Sequence, residues 1–191
     1  MIVYGIDPGQ NCGVCIYDTD RSLSAMEPML LKAPKKAEDG RELEIEEKCW
    51  ELGRLLVALM RQKRPHLVAI EEPMRAIPKK GNAAGSFSSN QIVGGIAMIC
   101  GLKGIKLITI PSGTWRSHFY PEGFKPPVKV IQEKGGTTRT ENDWKTAARE
   151  KCAELRITVT NHDMAEACGI AFAATFDQTF KWMQHNMEKA A

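Results

Sequence analysis

The opening residues constrain this chain more than any other stretch. Ile2-Val3-Tyr4-Gly5-Ile6 is a short apolar run that ends in Asp7, followed at once by Pro8 and Gly9. Such a run reads as a core strand that delivers a carboxylate to the end of a sheet, where Pro-Gly turns the chain away. An acid at the mouth of a core strand is costly unless something pairs with it. Asp before Pro-Gly also caps turns with no further purpose. Partners supplied by the rest of the chain decide between the two readings.

The 191 residues have the size of one domain with a single well-buried core, and residues 1–191 are read that way. Hydrophobic content of 43% and charged content of 26% suit a soluble globular protein. A net charge of +3 tilts towards anionic partners, but a nucleic-acid surface would have to be locally basic. No apolar run is long enough to span a bilayer, and no charged-then-apolar leader opens the chain. The expectation is a cytoplasmic protein. Cys12 and Cys15 have C-x-x-C spacing, but a zinc site would want a second pair. The pair is read as two reduced cysteines of a strand.

In chain order, Gly13 to Asp18 reads as a second strand and Ala25 to Lys32 as a third, with Pro28 best tolerated at a sheet edge. Glu42 to Gln62 is a helix, since Leu43, Ile45, Cys49, Leu52, Leu56 and Leu59 or Met60 recur at helical spacing. Leu67 to Ile70 is a continuously apolar strand. A strand after a crossover helix implies parallel pairing with an earlier one, buried on both faces. It runs into Glu71 and Glu72, which alternate to opposite faces, so only one can share a site with Asp7. Met74 to Asn90 reads as a loop and Phe87 to Leu102 as a helix whose Gly94, Gly95, Ala97 and Gly101 allow close packing on the sheet or on a partner helix. Lys106 to Ile110 is the last strand, and Ser112 to His118 one or two helical turns. Phe119 to Arg139 is rich in Pro, Gly and Lys and reads as an irregular insertion, at about 119–140. Thr140, with Asp143 three residues on, reads as a capping box opening a helix to about Arg156, which carries Lys145 and Arg149 on one face. Asn161 caps a further helix, where Asp163 and Glu166, three apart, project on one side. The tail after Gln178 is amphipathic.

Asp7, Glu71, Asp163 and Glu166 thus form an inventory of acids that the fold could gather. Without counterions they would repel one another and be partly protonated. Hard divalent cations remove that problem, and carboxylates suit Mg²⁺ or Mn²⁺ where zinc would want Cys or His. Two such ions about 4 Å apart are the device for phosphodiester hydrolysis.

Three motifs now carry a resemblance. The order β-β-β-α-β-α-β-α with acids at these places resembles the RNase H-like nuclease fold: a five-stranded mixed sheet, three antiparallel strands then two parallel ones, with helices on both faces. Within it the chain looks like the RuvC group of Holliday-junction endonucleases. Ile6-Asp7-Pro8-Gly9 is similar to that family's first motif, Val68-Ala69-Ile70-Glu71-Glu72-Pro73 to its second, and Asp163-Met164-Ala165-Glu166-Ala167 to its closing helix motif. The resemblance implies Asp7, Glu71, Asp163 and Glu166 as ligands of two Mg²⁺ ions, with Mn²⁺ as substitute, and His162 as a further candidate ligand or proton acceptor. It departs from the pattern at Glu166, where Asp is commoner. It implies Lys145 beside the scissile phosphate with Arg149 behind it. Met74 and Arg75 stand where the family approaches the junction centre, and an aromatic is often found there. Lys79, Lys80 and Arg116 complete the candidate DNA contacts. The implied activity is resolution of four-way DNA junctions by a homodimer, in a bacterial or phage-infected cell. A phage or prophage version would account for the insertion.

Three other readings remain open at this stage. One is a less selective nuclease on branched DNA or RNA–DNA hybrids, which would share the metal chemistry. A catalytically silent junction-binding protein would lack metal binding. A sugar-kinase or actin-like protein would need a second Asp-x-Gly phosphate loop that this chain lacks.

Overall fold

The computed structural model describes residues 1–73, 83–132 and 137–190. Strands β1 (Ile2–Asp7), β2 (Asn11–Asp18), β3 (Glu27–Lys32), β4 (Leu67–Glu71) and β5 (Lys106–Ile110) form one sheet in the order β3-β2-β1-β4-β5. β1 and β2 pair antiparallel, as do β2 and β3, while β4 lies parallel to both β1 and β5. This is the mixed sheet expected from the sequence. β3, with Pro28, is an edge strand, where a missing N–H is tolerated. It starts two residues later than expected, because Leu23–Ala25 form a 3₁₀ turn.

Helices α1 (Ile45–Gln62) and α2 (Ala83–Leu102) cover one face of the sheet. α3 (Ser112–Phe119), α4 (Trp144–Glu154) and α5 (His162–Ala174) cover the other, with Phe180 of α6 (Gln178–Ala190) joining that core. Strand alternation divides the side chains between two apolar layers. Tyr4, Ile6, Val14, Ile16, Val68 and Ile70 pack with Leu52, Leu56 and Met60 of α1 and Ile92, Ile96 and Cys100 of α2. Val3, Cys15, Leu67, Ala69 and Ile110 pack with Trp115 and the α4 and α5 residues. Cys12 and Cys15 fall in different layers, so the C-x-x-C pair cannot close on one ligand, and all six cysteines are free. No described helix is long and apolar enough to cross a membrane.

α5 lies on β1 and β2 at unusually short range. A Cβ at Gly5 would run into the carbonyl oxygen of Ala167 and the amide nitrogen of Ala171. One at Gly13 would strike the carbonyl oxygen of Asp163. Both glycines are therefore needed for their missing side chains. The helix answers with small residues, Ala165, Ala167, Gly169, Ala171 and Ala174, on its buried surface.

Four expectations change. α1 begins at Ile45 rather than Glu42, because Glu44 and Glu47 form the capping box, with the Glu44 amide donating to Glu47 Oε2 at 2.9 Å. α2 begins at Ala83, and a Cβ at Gly94, Gly95 or Gly101 would meet open space, so those glycines do not mediate packing on the sheet. The stretch from Phe119 is not irregular throughout, since β6 (Val128–Gln132) and β7 (Thr138–Asn142) pair as an antiparallel hairpin. Thr140 is consequently in a strand, and Asp143 is itself the N-cap of α4, accepting from the Thr146 amide at 3.1 Å.

A Gly13→Ala substitution should cost about 1–3 kcal/mol of stability or more, by forcing α5 off the sheet. Urea unfolding measures it. Alanine at Gly94, where the space is open, should instead be neutral or stabilising by up to about 1 kcal/mol.

Candidate metal centre

Asp7 is the last residue of β1, and Glu71 the last of β4. The parallel register pairs Ile6 with Ile70, so the next residues, Asp7 and Glu71, end adjacent strands side by side. Both have the strand parity of Val3 and Ala69 and therefore face α5, while Glu72 has the opposite parity. Asp7 also lies opposite Gly13, the residue on which the backbone of Asp163 rests. The close approach of α5 thus lowers its first turn onto the carboxylate of β1.

Asn161 fixes that first turn by accepting from the Met164 amide at 2.9 Å. One oxygen from each of Asp7, Asp163 and Glu166 lies within 4.8 Å of the others. Among the described residues, that trio is the one cluster of potential metal ligands. Glu71 stands beside it rather than in it. One of its oxygens accepts a hydrogen bond from the indole Nε1 of Trp115 at 3.0 Å.

Asp7 and Glu166 hold their protons more tightly than ordinary carboxyls do. Burial, then the charges of Glu166, Glu71 and Asp163, push the Asp7 carboxyl well above its ordinary range, opposed by Lys145. Burial and Glu71 push Glu166 up to about 7, opposed by Lys145 and Arg116. Glu166 is only 8% exposed, an unfavourable place for a charge without a counterion. Three to four clustered carboxylate side chains with no sulfur donor among them are the donor set of a hard divalent cation, and the residues fit Mg²⁺ or Mn²⁺.

The cationic side chains lie around this cluster. Lys145, at the start of α4, approaches His162 with Nζ 3.0 Å from Nε2. The same His162 nitrogen is 3.1 Å from Asp163 Oδ1. His162 therefore sits at the rim of the acids, tied to a cation, and outside the trio. Arg116 is not spread on the surface. Its Nη2 is 4.0 Å from Glu166 Oε1, and its guanidinium lies over the rings of Trp115 and Trp144. Arg149 is exposed and lines an open groove with Thr146, Ile157 and Val159. Met74, Arg75, Lys79 and Lys80 lie outside the described residues.

No protein-family model matches the chain, and no curated protein matches it in sequence. Solved structures do. Thermus thermophilus RuvC in complex with Holliday junction substrate superposes with a TM-score of 0.61 over 92% of this chain and 93% of its own, at 14% identity. The chain has the fold of RuvC. A second Thermus thermophilus RuvC structure gives a TM-score of 0.59 at 15% identity, covering 96% of this chain and 97% of that one. The yeast mitochondrial Holliday junction resolvase gives 0.51 at 13% identity, covering 96% and 85%. Coverage near the full length means that the RuvC fold accounts for the sheet and for the helices on both its faces.

Gly5, Gly13 and Trp115 shape the site without a signal of their own that the sequence makes legible. Gly5 and Gly13 carry no chemical group, and a glycine in a strand gives no sign of what approaches it. Trp115 falls within the helical turns expected over Ser112 to His118 and gives no sign of a role there, because an indole in a short helix most often signals core packing. Its position a few residues after a strand that adjoins Glu71 was the available clue.

The proton affinities set a pH dependence for the metal-free protein. A carboxyl with a raised pKa holds its proton more tightly folded than unfolded. The Glu166 contribution is therefore neutral below about 4.5 and destabilises progressively as pH rises towards about 7. Asp7 adds in the same direction. In EDTA, Asp7→Asn should melt a few degrees above wild type at pH 8, where about 1 kcal/mol corresponds to roughly 2–4 °C. The gap should shrink at pH 5, and Mg²⁺ should raise the wild-type melting temperature more than that of the variant.

Proposed function

We propose that this chain is a divalent-metal-dependent endonuclease that resolves four-way DNA junctions. The observation that carries the reading is the gathering of Asp7, Asp163 and Glu166 at the end of the central strands, with Glu71 beside them, on the fold of RuvC. These four would hold Mg²⁺, with Mn²⁺ as substitute, two ions per site. Bound there, the ions would supply an attacking water acidic enough to ionise near neutral pH and would neutralise charge on the leaving 3′-oxygen.

The chain's own residues supply the rest. Asp7 and Glu71 end rigid core strands, so their backbones are fixed before substrate arrives. Asp163 and Glu166 come from a helix seated on the same strands. Lys145, at the rim, is placed to receive a phosphate oxygen, and its contact with His162 holds the ammonium towards the acids. Arg149 extends positive charge along α4. Met74, Arg75, Lys79 and Lys80 follow β4 in sequence and are proposed as further DNA contacts. Affinity built on such contacts should fall steeply with salt. Symmetric cutting of a four-way junction requires two sites, hence a homodimer with two-fold symmetry.

Incubation of a synthetic four-way junction and a linear duplex of the same sequence with Mg²⁺ tests the proposal. Paired nicks in the junction, with the duplex spared, are the expected result. Equal cutting of both would replace this reading with that of a less selective nuclease. Asp7→Asn should keep junction binding and lose cleavage by more than the roughly 100-fold that outer-shell changes cost at metal sites.

A further inference from the structure

We propose that Trp115 and Arg116, neighbours on α3, are positioning residues that each orient a different acid of the cluster, Trp115 acting on Glu71 and Arg116 on Glu166. The inference rests on the reading of those acids as metal ligands. Successive residues of a helix point about 100° apart and do not face each other, so one dipeptide can reach two separate groups. Here the two groups belong to different elements, Glu71 to β4 and Glu166 to α5.

Trp115 is fully buried, and its single polar atom donates to Glu71 Oε1 at 3.0 Å. A glutamate has three side-chain torsions, and only the first is fixed by a strand's packing. The indole bond restricts that remaining freedom and occupies one lone pair of Oε1, leaving Oε2 for a cation. The ring itself is held from behind. A Cβ at Gly169 would come within 2.7 Å of its Cε3 and 2.8 Å of its Cζ3, so the indole rests directly on the backbone of α5. Phe119 packs edge-on at a centroid distance of 6.4 Å. The donor is therefore located by the same helix that carries Asp163 and Glu166.

Arg116 is held just as specifically. Its guanidinium carbon is 5.1 Å from the ring centre of Trp115 and 4.8 Å from that of Trp144. Cations over indole faces are attracted by the ring quadrupole. Among the described residues, its buried Nε has no hydrogen-bond partner. An arginine serving only the surface could swing out and hydrate that atom. This one stays inward, with Nη2 at 4.0 Å from Glu166 Oε1. At that distance the guanidinium limits where the Glu166 carboxylate can rest, while leaving it open to a cation.

Mn²⁺ titration by calorimetry on the full chain is the test, with variants Trp115→Phe, Arg116→Met, Glu71→Gln and Glu166→Gln. Phenylalanine keeps most of the ring and removes the N–H, and methionine removes the charge while keeping much of the length. Each should weaken Mn²⁺ binding by about 10–100-fold, the range seen when partners of metal ligands are lost. Coupling separates positioning from simple structural damage. Trp115→Phe should have little further effect in a Glu71→Gln background, and Arg116→Met little in a Glu166→Gln background, whereas the crossed pairs should add. Wild-type affinity in both positioning variants, or full additivity in the matched pairs, would overturn the assignment. So would an Arg116→Met protein that binds Mn²⁺ normally but binds junction DNA weakly, since Arg116 would then be a phosphate contact. Wild-type protein that binds no Mn²⁺ at all would remove the metal reading and this inference together, an outcome distinct from unchanged variants.

Discussion

The absence of side chains at Gly5 and Gly13 is the constraint from which the rest of the site follows. A helix normally rides on a sheet with a layer of side chains between the backbones. Here α5 touches the strands with its own main chain. That contact places the first turn of α5 opposite Asp7 and fixes how far Asp163 and Glu166 can stand from it. The alanines of α5 belong to the same arrangement, because a helix that close to a sheet has no room for larger residues on that side. The acids meet because two backbones do.

What this proximity costs is electrostatic. Asp7 and Glu166 are pushed towards their protonated forms by burial and by neighbouring carboxylates. Lys145 and Arg116 offset the repulsion only from the rim. The arrangement is one that folding alone would not favour, and its local conflict has the form expected of a functional site. The two cations differ in kind. Lys145 is exposed at the start of α4, and Arg116 lies packed between indoles. One is open to solvent, and the other is packed beside Glu166.

Much of this was legible in the sequence. Apolar runs that end in Asp7 and Glu71 announced strands with acids at their ends, and the crossover helix between them implied parallel neighbours. Strand parity allowed only one of Glu71 and Glu72 to join Asp7, and the family resemblance implied Glu71. Asn161 and the three-residue spacing of Asp163 and Glu166 marked the second half of the cluster. The remainder was hidden for physical reasons. Close approach is a property of two surfaces, and the glycines of α2 advertised it where none occurs, while Gly5 and Gly13 passed without notice. The β6–β7 hairpin was masked by flanking Pro, Gly and Lys, which outweighed the short alternation of Val128, Val130 and Thr140. A Thr-x-x-Asp match at Thr140 then imitated a helix start one turn early, when Asp143 was the cap. Trp115 looked like core because it is core, and its hydrogen bond could be seen only once α3 was placed against β4.

The alternation of the strands has a consequence for how such a chain can change over time. Every acid of the cluster, together with Gly5, Gly13 and Trp115, belongs to the layer under α5. The layer under α1 and α2 holds none of them, and is built from aliphatic residues with Met60, Cys12, Cys100 and Tyr4, whose hydroxyl donates to the Lys63 carbonyl at 2.5 Å. The sheet is thus a partition with chemistry on one side and plain cohesion on the other. Away from Cys12, which feels the charges of Asp7 and Asp163, apolar substitutions can accumulate on the cohesive side provided its volume is kept. Two descendants of one ancestor could therefore lose nearly all sequence likeness across half of their core while the other half stayed bound by the same close contact.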